Sequence, residues 1–582
     1  MNILKSILLF IFFFSAIQTI GQKSLPTFKI NAILIDPLNK QPISFASIYK
    51  SRGKKGTISN YNGEFIIDNV QEGDSIICSY IGYERLTFVA NTNLNYDTLF
   101  LQREVQLIDE VSILANDAFL YNLVSNARKT NSSKKKVAKT YFEMETFHDE
   151  TQLEFFQGYY NGTYKGYDVS NLEMKNARFA LAPIGNRIFV STETSKSMYM
   201  ESLVNSDRYF PIGPNEMKAR KLRKSYKLSL STKFKNQNKK TIYAIHFKPK
   251  KNTKQYFQGT IWIDSLSNNI IKINLRVDEA EIHPFQPLWS IHSLEKVNLE
   301  LSKSFTELNG EMFLKSMDFN YNLTYKSETD SSFNISSRAV LYAFNFEEEF
   351  ILPFFKFTEV SNADYRKIQM LPENQLFWEC TDEFKVESIS EKLNHFLDKE
   401  EGIKNYDFFS TDTIFKKPFF ENAYATWNGN RFLLREELND SSVNDLSKTI
   451  FLTNRYHLEV QFFMDINKLC DSLQIITKTV FDTFRTYYKF PMTKEGQAFI
   501  NIYFDLMEIE RRKMHAEILK CGNDISMIQM RYNEGKAQAE KMSETYFKEM
   551  QRGTNQAQLI KWNALVLDEL NIDNILIFGI DL

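Results

Sequence analysis

His292 and Glu295 stand three residues apart in His-Ser-Leu-Glu (292–295), and His395 follows about a hundred residues later. A His-x-x-Glu pair completed by a distant histidine can hold zinc and leave one position open for a water nucleophile. Seven histidines in a chain rich in Glu make one such spacing an ordinary coincidence. Trp289-Ser290-Ile291 supplies no glycine-rich strand end to orient ligands, and Glu295 opens an alternating, strand-like stretch. The sequence holds no His-Glu-x-x-His, no Gly-x-Ser-x-Gly and no glycine-rich phosphate loop. No catalytic, cofactor-binding or metal-ligating residue is assigned and no cofactor is expected. The chain reads as a non-enzyme, with a zinc hydrolase on His292 as the weakest alternative.

The remaining reactive side chains read more plainly. Glu348/Glu349 and Glu400/Glu401 are neighbouring carboxylates most simply solvated. Cys78, Cys380, Cys470 and Cys521 form no Cys-x-x-Cys, and buried small hydrophobes are expected. A Cys470–Cys521 bridge is the one pairing left open. Lys218 to Lys251 carries 13 basic residues and no acidic one. The preferred reading is the solvated face of two strands with Lys guarding a sheet edge; contact with anionic lipid headgroups is the alternative. Glu508 to Met514 (Glu-Ile-Glu-Arg-Arg-Lys-Met) reads as a helix surface laced with ion pairs, or else as a docking face.

The elements around these residues change in kind along the chain. Phe28–Ile35, Ala46–Tyr49, Gly63–Ile67, Ser75–Tyr80 and Arg85–Val89 have strand patterning, split by turn residues such as Asn60-Tyr61-Asn62-Gly63. Thr241–Lys248, Gly259–Asp264, Ile270–Val277, Val297–Ser302 and Met312–Tyr325 alternate as half-buried antiparallel strands do. From Tyr456 the apolar spacing predicts helices: Phe462, Ile466, Leu469 and Leu473, continued by Ile475–Tyr488. Phe499, Ile502, Tyr503, Leu506 and Ile509 then mark one face of an amphipathic helix. Further helices are expected at Ser388–Leu397, Gln529–Gln551 and Gln556–Leu570.

Lys5, the 11-residue apolar run Ile7–Ile17 and the small residues Thr19 and Gly21 have the layout of an export signal cut before Gln22. That run is well short of the roughly 20 residues that cross a bilayer. Without Lys5 the remaining chain has 70 basic and 72 acidic residues, a balance that argues against a nucleic-acid binder.

Ile30, Asp36, Gln41-Pro42-Ile43 and Ala46-Ser47-Ile48 resemble the opening of the carboxypeptidase-regulatory-like domain. Gly56-Thr57-Ile58-Ser59-Asn60, Gly63-Glu64-Phe65, Ser79-Tyr80-Ile81-Gly82-Tyr83-Glu84 and Asp109-Glu110-Val111 follow in that domain's order. Ala32 stands where the family usually has Gly. The resemblance covers about residues 27–114 and implies an Ig- or transthyretin-like β-sandwich without catalytic residues, common in exported Bacteroidetes proteins. The phrase Gly259-Thr260-Ile261-Trp262-Ile263-Asp264, turn, Ile270-Ile271-Lys272-Ile273 is similar to the curved sheets of lipoprotein-carrier-like half-barrels. It is also similar to a domain found behind the regulatory module in Bacteroidetes envelope proteins. A half-barrel could hold an acyl chain; a solid core is the plainer expectation.

The expected fold is multidomain α+β: signal peptide 1–21, sandwich 22–115, β-rich domain 116–350, mixed region 351–440 and helical bundle 441–582. The expected function is a non-enzymatic scaffold or accessory subunit in the periplasm or at the outer-membrane periphery or cell surface. Its expected partner is an envelope protein, with membrane-surface or lipid contact in addition and no nucleic acid. A lipid or lipoprotein carrier built on the middle domain is the alternative.

Overall fold

A computed structural model describes residues 26–51, 56–92, 98–104, 117–127, 134–181, 210–235, 239–251, 253–287, 290–327, 332–357, 364, 367–368, 374–380, 403–404, 424–432, 456–469, 472–488 and 493–581. The expected leader, the helix expected over 388–397, His395, Cys470, Glu400, Glu401 and the Asp109-Glu110-Val111 motif lie outside them. The described residues fall into two compact units, 26–104 and 117–581.

The first unit is a β-sandwich. Its strands are β1 (Thr27–Ile35), β2 (Ser47–Lys50), β3 (Gly56–Ile58), β4 (Glu64–Gln71), β5 (Ser75–Ser79), β6 (Leu86–Val89) and β7 (Thr98–Phe100). They form two sheets, β4-β1-β7 and β3-β2-β5-β6. Alternation sends Ile30, Ala32, Leu34, Phe65, Ile67, Ile76 and Cys78 inward to one core. Ala32 is fully buried and paired with Phe65, so the departure from Gly is filled by packing. Gly63 is required at its turn: its φ is +73°, and an added Cβ would lie 2.5 Å from the Leu34 carbonyl oxygen.

The second unit opens with α1 (Asp117–Ala127) and then builds one long antiparallel sheet. Its strands are β8 (Lys135–His148), β9 (Thr151–Lys165), β10 (Asp168–Leu181), β11 (Tyr226–Lys235), β12 (Thr241–Pro249), β13 (Gln258–Asp264), β14 (Ile270–Val277), β15 (Ser293–Leu308), β16 (Glu311–Lys326) and β17 (Ser332–Phe346). The short α2 (Ala219–Ser225) leads into β11. Spatial order is β11-β12-β13-β14-β15-β16-β17-β8-β9-β10, followed by the two-residue β18 (Ile403–Lys404).

The sheet is rolled. In a flat sheet β10 would sit about 24 Å from β15, five strand spacings away. Instead Lys303 of β15 donates to Asp168 of β10 at 2.9 Å, and the Tyr167 and Phe305 ring centroids are 4.7 Å apart. The Ile270 N–H donates to Tyr167 Oη at 3.2 Å, and the Leu314 N–H to the Gly166 carbonyl at 2.9 Å. The β9–β10 turn therefore closes onto β14–β16, as a half-barrel requires. The enclosed face is one continuous core that includes Phe142, Phe156, Tyr160, Tyr164, Ile261, Ile273, Leu301 and Phe319.

On β8 and β9 the opposite face is buried as well. Tyr141, Phe155 and Tyr159 are buried beside their inward neighbours Phe142, Phe156 and Tyr160. Tyr159 meets Phe344, Phe350 and, on α3 (Gln375–Cys380), Phe377 and Trp378. Asn161 ties Phe350 down through both backbone groups, at 2.7 and 2.9 Å.

The C-terminal part departs from expectation. Here β20 (Tyr456–Leu469) and β21 (Ser472–Tyr488) pair antiparallel, joined at the sheet edge by β19 (Tyr424–Thr426). Leu458, Val460, Phe462, Met464 and Ile466 all face the helices, a period of two that outweighs the spacing of four between Phe462 and Ile466. The helices follow as α4 (Lys494–Leu519), α5 (Ile525–Met550), α6 (Gln556–Leu570) and α7 (Asn574–Phe578). Thr493, Asp524, Asn555 and Asp573 each cap one of them by accepting a backbone N–H.

Candidate functional site

In the sandwich, the family-like motifs converge on Asp36. Tyr83 Oη donates to Asp36 Oδ2 at 2.8 Å, Arg103 Nε does so at 2.7 Å, and the Leu38 N–H donates to Oδ1 at 2.9 Å. Burial alone would raise the Asp36 carboxyl; these donors more than offset it and hold the group below its usual range. The motif residues are a staple between strands. In the core of the same sandwich, burial pushes the thiol of Cys78 up to about 12, consistent with an inert group. Cys78 and Cys521 are free thiols; Cys470, and with it the expected Cys470–Cys521 pairing, lies outside the described residues.

The His-x-x-Glu residues are separately engaged. His292 Nδ1 lies 2.5 Å from Tyr325 Oη, and Glu295 pairs with Lys326 at 2.9 Å. No group of three potential metal ligands occurs among the described residues. Glu349 is exposed and Glu348 half-buried, where it accepts from Asn345 at 3.2 Å.

Glu508 is a correction: it is buried, not part of a solvated helix face. Thr479 Oγ1 donates to it at 2.7 Å, and Arg511 and Arg512 donate at 2.8–2.9 Å. Asn501, Asp505 and Glu508, at i, i+4 and i+7 on α4, make one buried polar stripe. Asp505 takes a two-pronged bond from Arg431 at 2.6 and 2.9 Å, and further bonds from Trp427 Nε1 and Asn574 Nδ2 at 2.9 Å. Asn501 binds both backbone groups of Phe432. The stripe clamps the segment 427–432 and α7 onto α4.

Two further buried clusters are absent from the sequence reading. Lys175 of β10 reaches Asp465 of β20 at 2.5 Å and the carbonyls of Ile351 and Ile466 at 2.8 and 2.9 Å. Asn467 donates to the other Asp465 oxygen at 2.8 Å. Across β8–β10, Tyr141 donates to Glu143 and accepts from Gln157 Nε2 at 2.6 Å. Arg178 donates to Gln157 Oε1 at 2.9 Å while stacking 4.4 Å over Trp378. Burial, then the charge of Glu145, raises the Glu143 carboxyl to about 8 against the opposing pull of Tyr141 and Arg178. Glu143 is thus a protonated acid at neutral pH, but Tyr141 already occupies it, and the chain of bonds ties three strands together. The aromatic doublets Tyr141-Phe142, Phe155-Phe156 and Tyr159-Tyr160 are the signal that could have revealed this second buried face.

The basic run has a different character, because its charges point outward. Lys218, Arg220, Lys221, Arg223, Lys224, Lys227, Lys248, Lys250 and Lys251 are exposed on α2, the start of β11 and the end of β12. The strands bring the two ends of the run together, with Lys227 directly opposite Lys248. Lys250 Nζ caps the Arg223 carbonyl at 2.7 Å.

No curated protein matches this chain in sequence. Among solved structures, a LolA superfamily protein from Nitrosomonas europaea aligns at 9% identity over 42% of this chain and 97% of its own, with a TM-score of 0.16. The Pseudomonas aeruginosa MucA/MucB complex gives 8% identity over 38% and 93%, with a TM-score of 0.15. A domain from Vibrio parahaemolyticus named for outer membrane lipoprotein sorting gives 9% over 38% and 90%, with a TM-score of 0.17. TM-scores of this size do not establish a shared fold. Residues 34–113 match the CarboxypepD_reg-like domain family, and the N-terminal sandwich is a domain of that family.

Proposed function

We propose that this is a non-catalytic protein of the cell envelope that works by contact, as a scaffold or accessory subunit. One observation carries the reading. The buried Asp36, Lys175–Asp465, Asp505 and Glu508 groups are each engaged in joining segments, whereas α2 and the adjoining ends of β11 and β12 present a dense set of outward cations. Chemistry is thereby spent on architecture, and recognition is left to the surface. The test is crosslinking in intact envelopes followed by mass spectrometry of the captured chain. A discrete partner joined to exposed residues of the second unit at near-equal amount supports the reading. A turnover activity that a single buried substitution such as Glu143→Gln abolishes without unfolding would overturn it.

A second reading, a lipid or lipoprotein carrier, is supported by the roll of the long sheet, whose enclosed face is largely apolar from β8 through β17, interrupted by the buried Lys303–Asp168 pair. It expects lipid to co-purify in fixed ratio. Lipid-free protein that also fails to take up a fluorescent acyl chain would remove it.

A further inference from the structure

The basic residues of 218–251 stand where edge protection does not explain them. Lysines on β11 can guard the outermost strand, but β12 is flanked on both sides and α2 is not a strand. Yet Lys218, Arg220, Lys221, Arg223, Lys224, Lys248, Lys250 and Lys251 belong to α2, β12 and their flanks. None of the nine clustered cations has a carboxylate partner among the described residues. Lys227 and Lys248 also face each other across neighbouring strands, an arrangement that costs stability while it remains uncompensated. The rest of the chain offsets this charge, because the whole sequence is formally −1. The excess is local.

The kind of anion follows from what accompanies the charge. A protein interface centres on apolar or aromatic anchors and is poor in Lys. None of the large exposed apolar side chains of the described residues lies within 218–251. Nine cations spread over a helix and two strand ends, with the part-exposed Phe119 ring against Tyr243 at their margin and no such anchor within the run itself, suit an extended sheet of mobile negative charge better than a shaped partner. We infer that this face docks on the surface of an anionic lipid bilayer through phosphate-bearing headgroups. The inference rests on the contact reading above and names its surface and partner class.

The test is co-sedimentation of the purified full chain with vesicles of equimolar phosphatidylglycerol and phosphatidylcholine, against pure phosphatidylcholine vesicles, at low and physiological salt. Binding to the anionic vesicles only, weakening with salt, is expected. Removing four cations (Arg220→Gln, Lys221→Gln, Lys227→Gln, Lys248→Gln) is expected to lower the partition coefficient at least about a hundredfold, since each surface cation is worth roughly a factor of five. These residues are exposed, so unchanged thermal unfolding checks the fold. A charge-matched control (Lys468→Gln, Lys536→Gln, Lys541→Gln, Lys548→Gln) is expected to bind like the parent. Equal loss in both variants, no vesicle binding, or preference for polyglutamate or an oligonucleotide over vesicles overturns the assignment. Envelope crosslinks to a protein partner that persist in the quadruple variant would leave the contact reading standing while this surface fell.

Discussion

Glu143→Gln tests whether the second buried face of the long sheet is as dry as its geometry implies. In the folded chain the carboxyl keeps its proton up to about pH 8, against an ordinary value of 4.5. Between those two values the unfolded chain has lost the proton and the folded chain has not. Stability therefore falls as pH rises through that window, by up to about 1.4 kcal/mol per unit, and levels off above it. The full span is worth roughly 4–5 kcal/mol as an upper bound, reduced by relaxation around the ionised group. Glutamine cannot ionise, and its amide oxygen can still accept from Tyr141. The variant should match the parent or lose slightly at pH 5, and exceed it by about 2–4 kcal/mol at pH 9. Urea unfolding at a series of pH values, following the transition reported by tryptophan fluorescence, measures the difference. Parallel stability curves for the two proteins from pH 5 to 9 would refute the argument and imply that water reaches Glu143.

Three further outcomes follow from single sites. Lys175→Met leaves Asp465 buried without its cation and should cost about 3–5 kcal/mol; adding Asp465→Leu should recover most of that in the double-mutant cycle, measured by urea unfolding. Gly259→Ala should destabilise the sheet by at least about 1–3 kcal/mol, because the added Cβ would lie 1.9 Å from the Asn274 carbonyl oxygen; a thermal midpoint equal to the parent's would contradict this. Asp36→Ala should speed modification of the Cys78 peptide by a thiol reagent, read by mass spectrometry. In the parent, that protection should weaken only as pH falls below the usual carboxylate range, because the Asp36 carboxyl is held low.

Much of the fold was legible because single-face alternation is a strong signal. Ile270–Val277 is β14 as read from the sequence, and Gln556–Leu570 is α6. Legibility failed where a segment is covered on both sides. On β20 both faces carry buried residues, with Phe463, Asp465 and Asn467 opposite the helix-facing set. Polar and apolar positions then cease to mark outside and inside, and a helical spacing can be picked out by eye. The surer signal was composition: Thr477, Thr479, Val480, Phe481, Thr483 and Tyr487 favour a strand.

The same cause hid the polar joints. A carboxylate on a helix is read as solvated because isolated burial of charge is costly. Asp505 escapes that rule only because an arginine and an indole arrive from elsewhere in sequence, Arg431 and Trp427 lying more than seventy residues away; Glu508 has its arginines close by on α4, but Thr479 reaches it from β21. No local pattern encodes such a meeting. The outward cations of 218–251 are the opposite case, since their charge excess is local in sequence and remains local in space. What the sequence could not supply was their context. Only the fold shows that α2 and β12 need no edge protection, and that Lys227 and Lys248 are set face to face. A repulsive pair kept on an otherwise balanced chain is most simply explained by an anion that comes to meet it.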